Sequence, residues 1–151
     1  MKITVGQLME QKGEAVYSVS PQQTVYEALE LMADKDVGAV LVLDDEGKIA
    51  GIFSERDYAR KIILHGKSSI ETPVADIMRR QVICVPTWRT LDECMAIMTN
   101  KRVRHLPVIR DGELAGIVSI GDVGKAIISE QEYVIHELEE YAEEALKHKK
   151  S

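Results

Sequence analysis

The sequence predicts an α+β fold: one βαββα unit written twice, packed about a pseudo-two-fold axis, with a further helix at the C-terminus. Three observations lead there. The first is internal repetition. Gly51-Ile52-Phe53-Ser54-Glu55-Arg56-Asp57 returns 65 positions later as Gly116-Ile117-Val118-Ser119-Ile120-Gly121-Asp122. Upstream, Val19, Thr24, Glu27, Met32, Val37 and Val42 align with Val85, Thr90, Glu93, Met98, Val103 and Val108 at a constant offset of 66. Val5-Gly6-Gln7-Leu8-Met9 likewise matches Val74-Ala75-Asp76-Ile77-Met78. The second is that each copy runs through a helical apolar period and then two continuous apolar runs. The third is size: a unit of about 60 residues with one sheet and two helices has a thin core, so the copies must pack together, each covering the other's sheet.

Each copy opens with a short strand, Val16 to Val19 or Val82 to Val85, that runs into a turn holding Pro21 or Pro86. A helix follows, with Thr24 or Thr90 as its N-cap. Val25, Ala28, Leu29 and Met32 are spaced i, i+3, i+4, i+7, as are Leu91, Cys94, Met95 and Met98, which marks one buried face and makes the methionines core. Two strands come next, Ala39 to Leu43 with Lys48 to Phe53, and Leu106 to Ile109 with Leu114 to Val118. Asp/Gly turns join them into hairpins, and Asp44-Asp45-Glu46-Gly47 in the first copy shortens to Arg110-Asp111-Gly112 in the second. The strands lack strict alternation, so both faces are covered. The last helix of each unit starts at Ser54 or Ser119, whose hydroxyl suits the N-cap, and Asp57 or Asp122 then lies in the first turn, where the helix dipole favours negative charge.

These features divide the chain into a first repeat, 1–64, a polar linker, 65–73, a second repeat, 74–128, and an acidic C-terminal helix, 129–151. In that helix Val134, Leu138, Tyr141 and Ala145 form one stripe beside Ile135, Ala142 and Leu146. The stripe is read as packing on the protein's own body, with a dimer contact as the alternative. Cys84, in a strand, and Cys94, on an apolar helix face, are read as buried thiols, because their spacing fits neither a redox pair nor a zinc knuckle.

Hydrophobic residues at 45% and charged residues at 29% are ordinary for a soluble globular protein. No apolar run approaches the roughly 20 residues of a membrane helix, and the N-terminus lacks the apolar centre of a signal peptide. A cytoplasmic protein is expected. Seven acidic residues and three lysines from Ser129 onward carry −4 of the −6 net charge, leaving the body near neutral. Such a balance argues against nucleic acid, which selects a basic footprint, but leaves room for a small anion held by a few arginines. The sequence displays no nucleophile–base pair, metal cluster or phosphate-cradling P-loop, so an enzyme is not expected.

Two βαββα copies, each ending in Gly-hydrophobic-x-Ser-x-x-Asp, resemble a tandem pair of CBS domains (the cystathionine β-synthase type), often called a Bateman module. Arg102-Val103-Arg104-His105-Leu106-Pro107-Val108 also matches the family's strand start, and the short chain resembles the stand-alone CBS-pair proteins. The resemblance covers nearly everything but the tail. It implies a regulatory sensor with an adenine nucleotide in the clefts between repeats: AMP, ADP, ATP, NAD(H) or S-adenosylmethionine. It also implies a homodimer that signals to a protein target through altered packing.

By the same resemblance Ser54 and Asp57, with Ser119 and Asp122, would hold ribose. Val16, Val37, Gly38 and Ala39, with Val82, Val103, Leu106 and Pro107, would wall the adenine slot. A carboxylate accepts bonds from both vicinal hydroxyls of a ribose, each charge-assisted bond contributing about 1.5–3 kcal/mol. The copies differ in their cations: Arg104 and His105 stand where the first copy has Gly38 and Ala39, and Arg56 stands where the second has Gly121. Arg56, Arg104 and His105 are therefore the phosphate candidates, against solvated surface cations and a packing histidine as the plainer readings. The alternative function is a scaffolding dimer that acts through the tail helix without ligand.

Overall fold

The computed structural model describes residues 2–13 and 15–149, and side chains up to Leu146. Its elements, in chain order, are α1 (Val5–Lys12), β1 (Ser18–Val19), α2 (Val25–Lys35), β2 (Ala39–Leu43), β3 (Ile49–Ser54) and α3 (Glu55–Asp57). A π-helical run, Tyr58–Ile63, continues α3. A 3-10 turn over Val74–Asp76 precedes β4 (Val85–Pro86), α4 (Leu91–Lys101), β5 (His105–Arg110), β6 (Glu113–Ser119) and α5 (Ile120–Lys149). Two three-stranded sheets result, ordered β1-β2-β3 and β4-β5-β6, the first pair in each parallel and the second antiparallel.

The helix starts follow the sequence. Thr24 Oγ1 accepts from Glu27 N and Thr90 Oγ1 from Glu93 N, both at 3.2 Å. α2 and α4 both end on a left-handed residue, Asp36 at φ 54° and Arg102 at φ 55°. The second hairpin turns on Asp111 and Gly112, both with positive φ, the two-residue turn that matches the twist of paired strands. The longer first turn is held by Asp44 Oδ1, which accepts from Glu46 N and Lys48 N, both at 2.9 Å.

Three expectations shift. The opening strands are only two residues long, and in the second copy Val82 and Ile83 lie outside the ladder and line a cleft. Cys84 accordingly lies outside β4 and is exposed, while Cys94 is fully buried. The tail continues α5, which runs unbroken from Ile120, packs into the core through Val123, and then outruns the body. Residues 131–146 are exposed, Leu138 by 64% and Tyr141 by 73%, so the stripe does not fold back on its own body.

What joins the halves is an exchange of leading segments. Val5 N donates to Arg89 O (2.7 Å), Gly6 N to Thr87 O (2.9 Å), and Leu91 N to Ile3 O (3.0 Å). The equivalent bonds of the other half are Val74 N to Gln23 O (2.8 Å), Ala75 N to Pro21 O (3.1 Å), and Val25 N to Thr72 O (2.9 Å). The pairing repeats atom for atom across the duplication, which is the pseudo-two-fold relation. Val5, Leu8 and Met9 thus lie in the core of β4-β5-β6, and Val74, Ile77 and Met78 in the core of β1-β2-β3. The motif glycine is explained by this crossing: a Cβ on Gly51 would lie 2.6 Å from Met78 Sδ and 2.9 Å from Arg79 O.

Candidate anion-binding cleft between the repeats

The end of β3 and the start of α3 carry the first half's polar residues to the seam between the sheets. Ser54 caps α3 through a reciprocal box. Its Oγ accepts from Asp57 N (3.3 Å), and Asp57 Oδ2 accepts from Ser54 N and Ser54 Oγ, both at 3.1 Å. Asp57 is buried, with 7% of its surface exposed. Its second oxygen, Oδ1, keeps its lone pairs, the nearest cation being Lys61 Nζ at 3.8 Å. That lysine donates instead to Ile77 O at 3.0 Å.

Facing this pair is a cleft of about 630 Å³, within the range of small-molecule sites. Of the expected site residues it gathers Ser54, Arg56, Asp57, Ser119, Arg104, His105, Gly38, Val82 and Val103. His105 packs beside Gly38, where an added Cβ would stand 3.6 Å from His105 Nε2, an ordinary van der Waals contact. The remaining expected residues lie elsewhere. Ala39, Leu106 and Pro107 are buried, Leu106 wholly. Val37 packs against the core of the first half, and Val16 is outside the cleft. Asp122 opens instead onto a groove between α1 and α5 that includes Leu8, Gln11, Lys125 and Tyr133.

The cleft also holds three cations that the motif did not single out: Arg60, Arg79 and Arg102. Arg79 arrives by the crossing, because its backbone bridges Ile52 of β3 in both directions, at 3.0 and 2.9 Å. Five arginines therefore line the cleft together with Glu55 and Asp57, an excess of cations in an acidic protein. The guanidinium of Arg56 is held below its usual value, first by Arg60, then by burial and by Arg104 and Arg79, with Asp57 opposing. Crowded like charges of this kind are relieved by a bound anion. Arg102 is, in addition, a left-handed residue that is neither Gly, Asn nor Asp, a backbone strain that structures tolerate at functional sites.

His105 completes the lining. Burial holds its imidazole below the usual value, Lys12 and Arg104 push the same way, and Asp122 opposes. At neutral pH it is an uncharged donor and acceptor, and a phosphate beside it would draw a proton onto it.

Fold and cleft together define a duplicated α+β module with an arginine-lined seam between its halves. The family profile of the CBS domain matches residues 5–64 and again 74–129, and the chain belongs to that family. It is 37% identical over 147 residues to the mitochondrial CBS domain-containing protein CBSX3 of Arabidopsis thaliana, covering 91% of this chain and 71% of that one. Among solved structures, a putative signal-transduction protein with CBS domains from Burkholderia ambifaria is 46% identical, at a TM-score of 0.80 over 85% of this chain and 96% of that one. A CBS domain protein from Pyrobaculum aerophilum, complexed with AMP, shares the fold at 23% identity and a TM-score of 0.71, over 80% of this chain and 89% of that one. Among the described residues, no helix is long and apolar enough to cross a membrane.

Proposed function

We propose that the chain is a regulatory sensor of adenine nucleotides that takes its ligand in the cleft between the repeats. The observation that carries this reading is the meeting, in one cleft, of a buried acceptor, Asp57, with five arginines. A nucleotide offers the matching pair of groups, a vicinal diol for the carboxylate and phosphates for the guanidinium groups. Val82, Ile83, Ile52 and Val103 supply the apolar wall for adenine. Membership of the CBS family and the AMP bound by the Pyrobaculum aerophilum relative support adenine over other bases. The arginine count favours a ligand with more than one phosphate, ADP, ATP or NAD(H), over AMP.

The ligand would bridge β3–α3 of one half and β5 of the other, so binding changes how the halves pack, and a protein partner would read that change. Calorimetric titration tests the reading with ADP, AMP and NAD(H), against CTP and inorganic phosphate as controls. Saturable binding of the adenine compounds, tightest for those with two phosphates, is expected. Equal binding of CTP would remove adenine from the account, and no binding of any of them would end it.

One observation favours a second reading, a scaffold that dimerises through α5. Val134, Leu138 and Tyr141 recur at heptad-like spacing on the exposed stretch 131–146 of α5, which no described residue covers, and a second copy offers the same stripe. Light scattering of Leu138→Glu and Tyr141→Glu separates the readings: a fall from dimer to monomer supports it, and an unchanged mass rejects it.

A further inference from the structure

The two Ser-x-x-Asp carboxylates are not in the same state. Lys12, the last residue of α1, places Nζ 2.8 Å from Asp122 Oδ2 and donates to Ile117 O at 2.6 Å. In the first half Asp57 has a looser ion pair, to Lys61 at 3.8 Å, which comes from within the same helical segment and has no counterpart in Lys12. Asp122 Oδ2 also accepts from Ser119 N at 2.9 Å, as Asp57 Oδ2 accepts from Ser54 N, so what distinguishes the second carboxylate is the ammonium at 2.8 Å. Both partners are about one-third exposed, which shields the pair from full solvent screening.

The surroundings differ in the same direction. By the register of the repeat, Gln81, which lines the cleft, corresponds to Lys12. The cleft arginines Arg79 and Arg102 correspond to Glu10 and Asp36, and Arg56 to Gly121. Asp36 and Arg102 are the left-handed ends of α2 and α4, so that correspondence is structural as well as sequential. Where the first half presents Arg79, Arg102 and Arg56 to a phosphate, the second presents Glu10, Asp36 and Gly121, with Lys125 left as a cation in the groove beside Asp122.

We infer that the chain binds one nucleotide, not two, and that Lys12 is the residue that closes the second carboxylate while fastening α1 to the start of α5. The inference rests on the nucleotide reading of the open cleft. A diol entering at Asp122 would compete with an ammonium already at hydrogen-bond distance, and Glu10, Asp36 and Gly121 stand where the other half has arginines for a phosphate.

The test is stoichiometry by calorimetry and native mass spectrometry, with AMP and adenosine as probes, on the full chain and on Lys12→Gln, which installs the residue type of the other half. The full chain should take about one AMP, and Lys12→Gln about two, the second weaker by about tenfold and as tight for adenosine as for AMP. Lys12→Gln combined with Asp57→Ala should retain only that weaker site. Two equivalents on the unmodified chain would overturn the inference while leaving the nucleotide reading intact. One equivalent on Lys12→Gln, with its circular dichroism unchanged, would also overturn it, because something other than Lys12 would then close the site. If neither protein binds AMP, ADP or NAD(H), the nucleotide reading fails and takes this inference with it.

Discussion

Repeat for repeat, the two halves of this molecule share their strand order, their threonine caps and their Ser-x-x-Asp turns, yet their polar surfaces have diverged. In the first half Asp57 is buried with one oxygen open, and arginines from both halves line the same cleft. In the second half Asp122 is tied to Lys12, and acidic residues stand at the positions equivalent to Arg79 and Arg102. The two frameworks are equivalent, and a few different side chains give one of them an arginine-lined cleft and the other a lysine-paired carboxylate. A shared motif fixes backbone geometry and capping; the residues around it decide what the carboxylate does.

Transplanting one half's charges into the other should have the largest effect. Arg79→Glu with Arg102→Asp gives the cleft the acidic residues of the second half, at exposed positions that leave the core intact. Removing two charge-assisted contacts should weaken ADP binding by about a hundredfold or more, and should flatten its dependence on salt. An affinity within a few fold of the parent would remove these arginines from the site.

A smaller effect is expected from pH. Because burial depresses the His105 imidazole and a phosphate would raise it, binding takes up a proton, and ADP affinity should rise by a few fold as pH falls from about 8 to 6. His105→Gln should abolish that slope. A slope that survives the substitution would assign it to another group. The fastening should not respond in this range. Burial alone would raise the Asp122 carboxyl, but its bonds to Lys12 and Ser119 hold it below 3.8. A depressed carboxyl stabilises the fold above its unfolded value, and that stability is lost only as pH falls through the lower folded value. Melting temperature should therefore show no Asp122-dependent change between pH 6 and 8, and a change there would contradict the assignment.

The smallest effect concerns the helix ends. Arg102→Gly should raise stability by about 1 kcal/mol by relieving a left-handed arginine, and it should weaken ADP at the same time. Asp36→Gly should gain less, because aspartate tolerates that conformation better. Thermal denaturation of the two variants compares them directly, and equal gains would mean that Arg102 carries no special strain.

How much of this was legible in the sequence depended on range. Thr24, Thr90, Ser54 and Ser119 were readable as caps because a cap is a contact across three residues, and the hairpin turns were readable for the same reason. The match of Val5–Met9 with Val74–Met78 was visible too, but not that each segment packs in the opposite half, because that pairing lies between distant residues and leaves no local period. Arg79 was missed for this reason: it follows Met78 and reaches the first half's cleft only through its bridge to Ile52. Its signal was the charge reversal against Glu10. Leu106 and Ala39 were assigned to the adenine wall through family likeness, whereas their burial in the sheets follows from the continuous apolar strands they sit in. The exposed α5 stripe was misjudged because amphipathic spacing marks a face to be covered without saying by what.

The inequality of the two carboxylates is measured most directly by titrating ADP into Asp57→Ala and Asp122→Ala side by side. The structure predicts a loss of about tenfold or more for Asp57→Ala and less than about twofold for Asp122→Ala. The opposite order, or equal losses in both, would contradict it.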